Sequence, residues 1–275
     1  MRKSRRQLFA GPYLIWIIGF ILLPLAMIIY YAFTTSGGTF TFENVAAIAD
    51  PVHVRSILLS LKLGIICTIV CLLLAYPLAM ILNGLKIKQQ NFVVFIFILP
   101  MWMNFLLRTI AWMSLLEDQG LINNFLRLLG FEGVQLMYNS GAVLLGMVYN
   151  FLPFMVLPIF SVIEKMDHRL IEAAQDLGAN SAEVFRRVIF PLSLPGVLSG
   201  VTMVFIPSVS TFVISRLLGG GKSLLLGDLI EMQFLGSAYN PHLGSAISLV
   251  MMVIVLVCMG VMNRFGEGEG EAVVL

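Results

Sequence analysis

Between Glu164 and Gly196 the chain reads EKMDHRLIEAAQDLGANSAEVFRRVIFPLSLPG, a polar stretch set between two long apolar runs. Arg169 to Leu177 are good helix formers. Leu170, Ala173, Ala174 and Leu177 recur at helical spacing on one face, opposite Glu172, Gln175 and Asp176. Gly178 interrupts that helix, and Ser181 is placed to cap a second one over Ala182 to Ile189 before Pro191 leads into the next apolar run. Glu183 and Arg187, four apart, are spaced to pair on its surface. The small side chains of Ala173 and Ala174 would let another surface approach closely. On these residues alone, an ordinary polar hairpin over the end of a helical bundle fits slightly better than a docking knob.

Outward from this stretch the chain is apolar. Of its 275 residues 59% are hydrophobic and 12% charged, whereas a soluble domain carries about 25% charged residues. A membrane-spanning helix needs about 20 apolar residues. Six segments meet that test: Gly11 to Phe33, Ile57 to Leu82, Phe92 to Leu116, Gly141 to Ile163, Leu192 to Ser215 and Leu243 to Asn263. The chain is therefore expected to be an all-α membrane protein of six transmembrane helices. The first run follows the basic residues Arg2, Lys3, Arg5 and Arg6, but it is longer than a signal core and no small-x-small cleavage pattern follows it, so it is expected to be retained.

Orientation follows from the placement of Lys and Arg in short loops. With the N-terminus inside, eleven of the 17 basic residues are cytoplasmic: Arg2, Lys3, Arg5, Arg6, Lys86, Lys88, Lys165, Arg169, Arg186, Arg187 and Arg264. Both termini are then cytoplasmic, as is the Glu164 to Gly196 loop. The segment LLGGGKSLLLGDLI, Leu217 to Ile230, falls on the outer side. Its Gly221-Lys222-Ser223 spells the end of a Walker A loop, yet Arg216 stands where that motif has its first glycine, and nucleotide is not available outside the cell. Gly219, Gly220 and Gly221 are better read as a tight turn, and the apolar run after them as a short helix dipping back against the bundle.

No span holds an Asp or Glu between its ends. Lys62 and Arg108 are the charged residues within spans, each near an outer end from which a long side chain can snorkel to the interface. His53, His168 and His242 are expected in loops and share no metal-ligand spacing; Cys67 and Cys71, four apart, lack a partner ligand and read as packing residues. Catalysis and a proton relay are both poorly supplied. The net charge of +2 is too small to suggest a nucleic-acid partner. Pro24, Pro77, Pro100, Pro153, Pro158, Pro195 and Pro207 lie inside spans, where each removes a helix hydrogen bond and can kink the segment. Trp102, Trp112, Tyr13 and Tyr30 near span ends read first as interfacial anchors.

The stretch EAAQDLGANSAEVFRRVIFP, Glu172 to Pro191, resembles the EAA loop of binding-protein-dependent ABC importer permeases. That pattern is Glu-Ala-Ala, three residues, Gly, nine residues, Ile, one residue, Leu-Pro. Glu172, Ala173, Ala174, Gly178 and Pro191 match in register, while Val188 and Phe190 replace the Ile and Leu with other apolar residues. The resemblance implies the type I importer permease fold, with a core from Ile57 to Asn263 and the first span an addition to it. It also implies a loop that fits a groove on a separate ATP-binding subunit, which acts as a dimer. Glu172, Ala173, Ala174, Asp176, Leu177, Gly178, Ala179, Phe185 and Pro191 would make or shape that contact. ATP and Mg would belong to the partner, leaving this chain non-catalytic and without a cofactor.

The resemblance extends through LPFMVLPIFSVIEKMDHRLIEAAQDLGA, LLGGGKSLLLGDLIEMQFL and PYLIWIIGFILLPLAMIIYYAF over nearly the whole chain, and there it is to permeases of spermidine/putrescine importers of the bacterial cell membrane. These imply a second, different permease and an extracytoplasmic polyamine-binding protein as partners. A polycation would favour acidic and aromatic groups at the outer mouth. Trp102, Glu117, Asp118, Asp228 and Glu231 are the candidates for pathway or docking roles, although any one of them is as well explained as a solvated or lipid-facing residue, and Arg108 argues against a cation path on its own face. A permease for another small solute (thiamine, iron or a phosphonate) shares the EAA loop and remains open. A secondary transporter is disfavoured by the carboxylate-free spans. The tail FGEGEGEAVVL, Phe265 to Leu275, reads as a short flexible cytoplasmic end.

Overall fold

The computed structural model describes residues 13–221, 223–236 and 238–270. The basic N-terminal segment, Lys222 and the last residues of the tail lie outside them. Among the described residues every regular element is helical, apart from one isolated bridge between Thr34 and Phe40. Five helices are long and apolar enough to cross a membrane: α1 (Tyr13–Ala32), α2 (Pro51–Asn83), α6 (Ser140–Glu164), the continuous run Ser181–Ser210, and the part Pro241–Met262 of α12 (Pro241–Gly270).

The sixth expected span is not one helix. Residues 92–116 divide into α3 (Ile87–Trp102) and α4 (Phe105–Leu116) at a break beside Met103, where the legs Phe92–Trp102 and Phe105–Leu128 are bent by 95°. Pro100 weakens the end of α3, and the side-chain oxygen of Asn104 accepts from the N–H groups of Leu106 and Leu107, so a new helix start is satisfied inside the apolar run. The fifth span is also revised. Its helix stops at Ser210, and Ser215 belongs to a separate short helix, α10 (Val213–Gly219).

The described residues form two compact units. One holds the chain up to Ser56 together with Leu229–Ile254. Within it, α1 contains a π turn at Ile18–Leu22, immediately before Pro24, whose ring cannot accommodate the regular i−4 carbonyl. Beyond α1 the rings of Phe33, Phe40 and Phe42 cluster, Asn44 Nδ2 donates to the carbonyls of Ala32 and Thr34, and His242 Nδ1 lies 3.1 Å from the Tyr31 carbonyl. The histidines thus sit in first turns of helices, not in loops: His53 in α2, His168 in α7 (His168–Asp176) and His242 in α12.

The other unit holds Ile57–Asp228 with the residues from Val255. Its centre is α6, along which α9 (Phe190–Ser210) packs most extensively. Lipid is as apolar as leucine, so helices in a membrane associate through close van der Waals contact more than through the hydrophobic effect. Gly200 supplies such an approach: a Cβ there would fall 2.7 Å from Met155 Sδ and 3.2 Å from the Met155 carbonyl. On α2 the buried edge runs Leu63, Cys67, Cys71, Ala75 and Ala79, one small or compact residue per turn, so the two thiols pack as expected. Among the described residues no cluster of His, Cys, Asp or Glu could hold a metal.

The glycine turn after α10 has left-handed backbone at Gly220 and Gly221 (φ +59° and +73°), and α11 (Leu226–Leu235) follows with Leu225 and Leu226 fully buried. The expected short helix dipping back is therefore present. Its leading N–H groups are occupied: Leu225 donates to Asp228 Oδ2 at 2.8 Å and Leu226 to Ser60 Oγ at 2.7 Å.

Candidate coupling site and substrate pathway

The chain leaves α6 at Glu164, turns, and starts α7 at His168 with Asp167 as its cap, whose carboxylate accepts from the Arg169 N–H at 3.0 Å. α7 ends where expected. Gly178 adopts φ +85°, and the N–H groups of Gly178 and Ala179 return to the carbonyls of Gln175 and Ala174, closing the last turn. Ala179 is half-buried behind this turn.

The second helix, α8 (Ser181–Val184), starts one residue earlier than its sequence suggested. Asn180, not Ser181, is the cap: its Oδ1 accepts from the Glu183 N–H, and Glu183 Oε2 accepts from the Asn180 N–H, both at 3.0 Å. This reciprocal capping box occupies the Glu183 carboxylate that was expected to pair with Arg187. The Asn-x-x-Glu spacing was the available signal. α8 runs into a π turn at Phe185–Ile189, which ends just before Pro191 as the turn in α1 ends before Pro24. The same cause applies: the widened turn moves the i−4 carbonyl away from the proline ring.

In α7 the face of Leu170, Ala173, Ala174 and Leu177 is divided. Ile171 and Ala174 turn inward, and Ile171 lines a small cleft with Met80, Ile163, Met166 and Ile189. Leu170, Ala173 and Leu177 remain exposed, Leu177 at 89%, beside Glu172 and Asp176, which are also exposed. The loop therefore presents an uncovered strip of small and apolar side chains edged by carboxylates. Behind it stand the aromatic rings. Phe185 meets Tyr76 of α2 edge-on at 5.3 Å between centroids, and Phe190 lies 6.2 Å from Tyr76 and 6.3 Å from Phe185. The Tyr76 hydroxyl is hydrogen-bonded to Ser193, just beyond Pro191. Tyr76 and Ser193 were missed from sequence, because contacts between residues 117 apart leave no local pattern.

The pathway candidates are dispersed. Trp102 ends α3, is 78% exposed, and meets only the edge of Phe95 among ring contacts. Glu117 and Asp118 are exposed at the far end of α4, separated from Trp102 by about 18 Å of helix at 1.5 Å per residue. Asp228 is buried, with its carboxylate committed to the Leu225 N–H, and Glu231 is half-buried further along α11. Arg108 departs from the snorkelling expected of it. The bend at Met103 carries it into the packing of α4 against α6 and α10, where it is 7% exposed and its Nε and Nη1 have no hydrogen-bond acceptor among the described residues. Lys62, by contrast, is exposed.

Comparison with known proteins places this arrangement. Residues 75–266 match the family described as binding-protein-dependent transport system inner membrane component. The chain is 38% identical over 247 residues to the spermidine/putrescine transport system permease protein PotB of Escherichia coli K12, covering 87% of this chain and 90% of that one. It is 37% identical over 257 residues to the protein of the same name from Haemophilus influenzae, covering 90% of each. Among solved structures, a chain of a bacterial ABC transporter that imports the acidic polysaccharide alginate superposes with a TM-score of 0.83 at 19% identity, covering 96% of both chains, which establishes a common fold.

Proposed function

The chain belongs to the inner membrane components of binding-protein-dependent transport systems, and from that premise we infer that it is the permease subunit of an ATP-driven polyamine importer. It forms half of the translocation path for spermidine and putrescine. A second, different permease forms the other half, an ATP-binding subunit dimer supplies the energy, and an extracytoplasmic polyamine-binding protein delivers the substrate. The similarity to spermidine/putrescine permeases over 87% of the chain carries the substrate assignment.

The geometry supports the division of labour. The strip formed by Leu170, Ala173 and Leu177 with Glu172 and Asp176 has the exposure that a docking helix needs, and Gly178, Ala179 and the Asn180–Glu183 box fix its angle. Phe185, leading through the π turn to Pro191, connects that strip to α2 through Tyr76. ATP and Mg sit on the partner, and this chain contributes motion, not catalysis. Trp102, Glu117, Asp118 and Glu231 are proposed to meet the cation or its binding protein, while Asp228 acts by holding α11. The loop side of the membrane is cytoplasmic, as are both termini.

The test is uptake of radiolabelled spermidine and putrescine in a strain deleted for this gene, with and without the gene restored. Polyamine uptake that is lost and then restored is expected. Unchanged polyamine uptake, with loss of thiamine, iron or phosphonate uptake instead, would move the substrate and leave the permease assignment standing.

A further inference from the structure

The hairpin that follows α4 carries an apolar surface that nothing among the described residues covers. α5 (Leu121–Leu128) is separated from the end of α4 by four residues and is held in a single pose. Asn123, 1% exposed, donates through Nδ2 to the carbonyls of Glu117 and Val134 and accepts from the Val134 N–H through Oδ1. At the other end Gly130 takes φ +87°, and the Phe131 N–H returns to the Leu126 carbonyl, a six-to-one closure.

Around this fixed helix, at 100° per residue, the apolar arc from Leu128 through Leu121, Phe125, Leu129 and Ile122 to Leu126 spans about 160°. Only one edge of it is used: Ile122 packs against the core and Leu126 is half-buried. Leu121, Phe125, Leu128 and Leu129 are exposed, and Phe131 and Val134 prolong the patch beyond the helix. Asn123, Asn124 and Arg127 fill the remaining arc.

We propose that α5 is an interfacial helix that seats Leu121, Phe125 and Leu128 in the outer leaflet of the bilayer. The second leg of the bent membrane-span candidate runs from Phe105 to Leu128, so α5 forms its last part and sits at the level of the boundary. The exposed stripe contains no charged side chain, which suits acyl chains, and Arg127 lies off it, on the far arc of the helix with its guanidinium over Gly133. Seated in this way, α5 would fix the level of Glu117 and Asp118 at the mouth.

The experiment uses the assembled transporter in liposomes, with Cys67, Cys71 and Cys258 replaced and one nitroxide label placed in turn at Leu121→Cys, Phe125→Cys, Leu128→Cys and Glu132→Cys. Collision with oxygen and with a water-soluble nickel chelate is measured at each site. Labels at 121, 125 and 128 are expected to favour oxygen at least threefold relative to the label at 132. Preference for the nickel chelate at those three sites would overturn the proposal by placing the stripe in water. Exclusion of both reagents would overturn it by placing the stripe against a protein. A Phe125→Trp variant, quenched by brominated lipid more than its parent, checks the result without a label; equal quenching would count against the proposal.

Discussion

The hydroxyls of Tyr76 on α2 and Ser193 on α9 are hydrogen-bonded to each other across 117 positions of sequence, at the point where the exposed loop rejoins the bundle. Ser193 Oγ also lies 2.9 Å from the Phe190 carbonyl, so it keeps an acceptor if Tyr76 is changed. Tyr76→Phe is therefore expected to cost about 1 kcal/mol, the usual net worth of one hydrogen bond, read as a small fall in the melting midpoint. Tyr76→Ala also removes the ring beneath Phe185 and Phe190, at a cost of about 3–5 kcal/mol. Its transport should lose efficiency, with less polyamine moved per ATP hydrolysed. An unchanged ratio in Tyr76→Ala would show that the aromatic contact transmits nothing.

At Gly178 the backbone is left-handed. Proline cannot reach that φ, so Gly178→Pro should misdirect α7 and abolish association with the ATP-binding subunit, leaving the permease in the membrane. Glu172→Lys should do the same by reversing charge on the exposed strip. Co-purification of the ATPase with each variant measures this. Full ATP-driven uptake in both variants would remove the loop from the coupling role.

The proposed path gives the exposed indole of Trp102 an ammonium group to meet. Trp102→Ala is expected to lower spermidine uptake about threefold, the loss of roughly 0.5–1 kcal/mol of cation–π attraction at an exposed ring. Glu117→Gln and Asp118→Asn should raise the apparent KM for spermidine, and normal kinetics in both would remove those carboxylates from the path.

Arg108 is 7% exposed inside the packing, with two of its three guanidinium nitrogens lacking an acceptor among the described residues. Arg108→Met keeps most of its volume and removes the charge, so the isolated subunit should be as stable as the parent or more so. Thermal unfolding checks it. A fall of several degrees that Arg108→Lys reverses would instead reveal an acceptor for the guanidinium.

The parts of this protein legible in its sequence are those set by local chemistry. Runs of about 20 apolar residues must insert as helices, because a backbone in lipid can satisfy its polar groups only within itself. Gly178 was readable as a helix end because it alone interrupts a good helical pattern, and the short helix after the glycine turn was readable from its apolar run. The cap at Asn180 was readable in principle, through its spacing to Glu183, but Ser181 satisfies the same preference one residue on.

The break at Met103 was not legible. Prolines are common in membrane helices, and whether Pro100 bends a span gently or ends it depends on Asn104 capping the next helix and on the packing of α4 against α6 and α10. The burial of Arg108 follows from that bend. The exposure of Leu170 and Leu177 and the pairing of Tyr76 with Ser193 depend likewise on which faces meet. By itself, then, the sequence determined that the chain crosses the membrane about six times and carries an EAA loop, since transfer into lipid and helix closure are properties of contiguous residues. Only the tertiary structure decided where the third span breaks, which face of α7 stays uncovered and which cation is buried, since those depend on residues far apart in the chain competing for the same contacts.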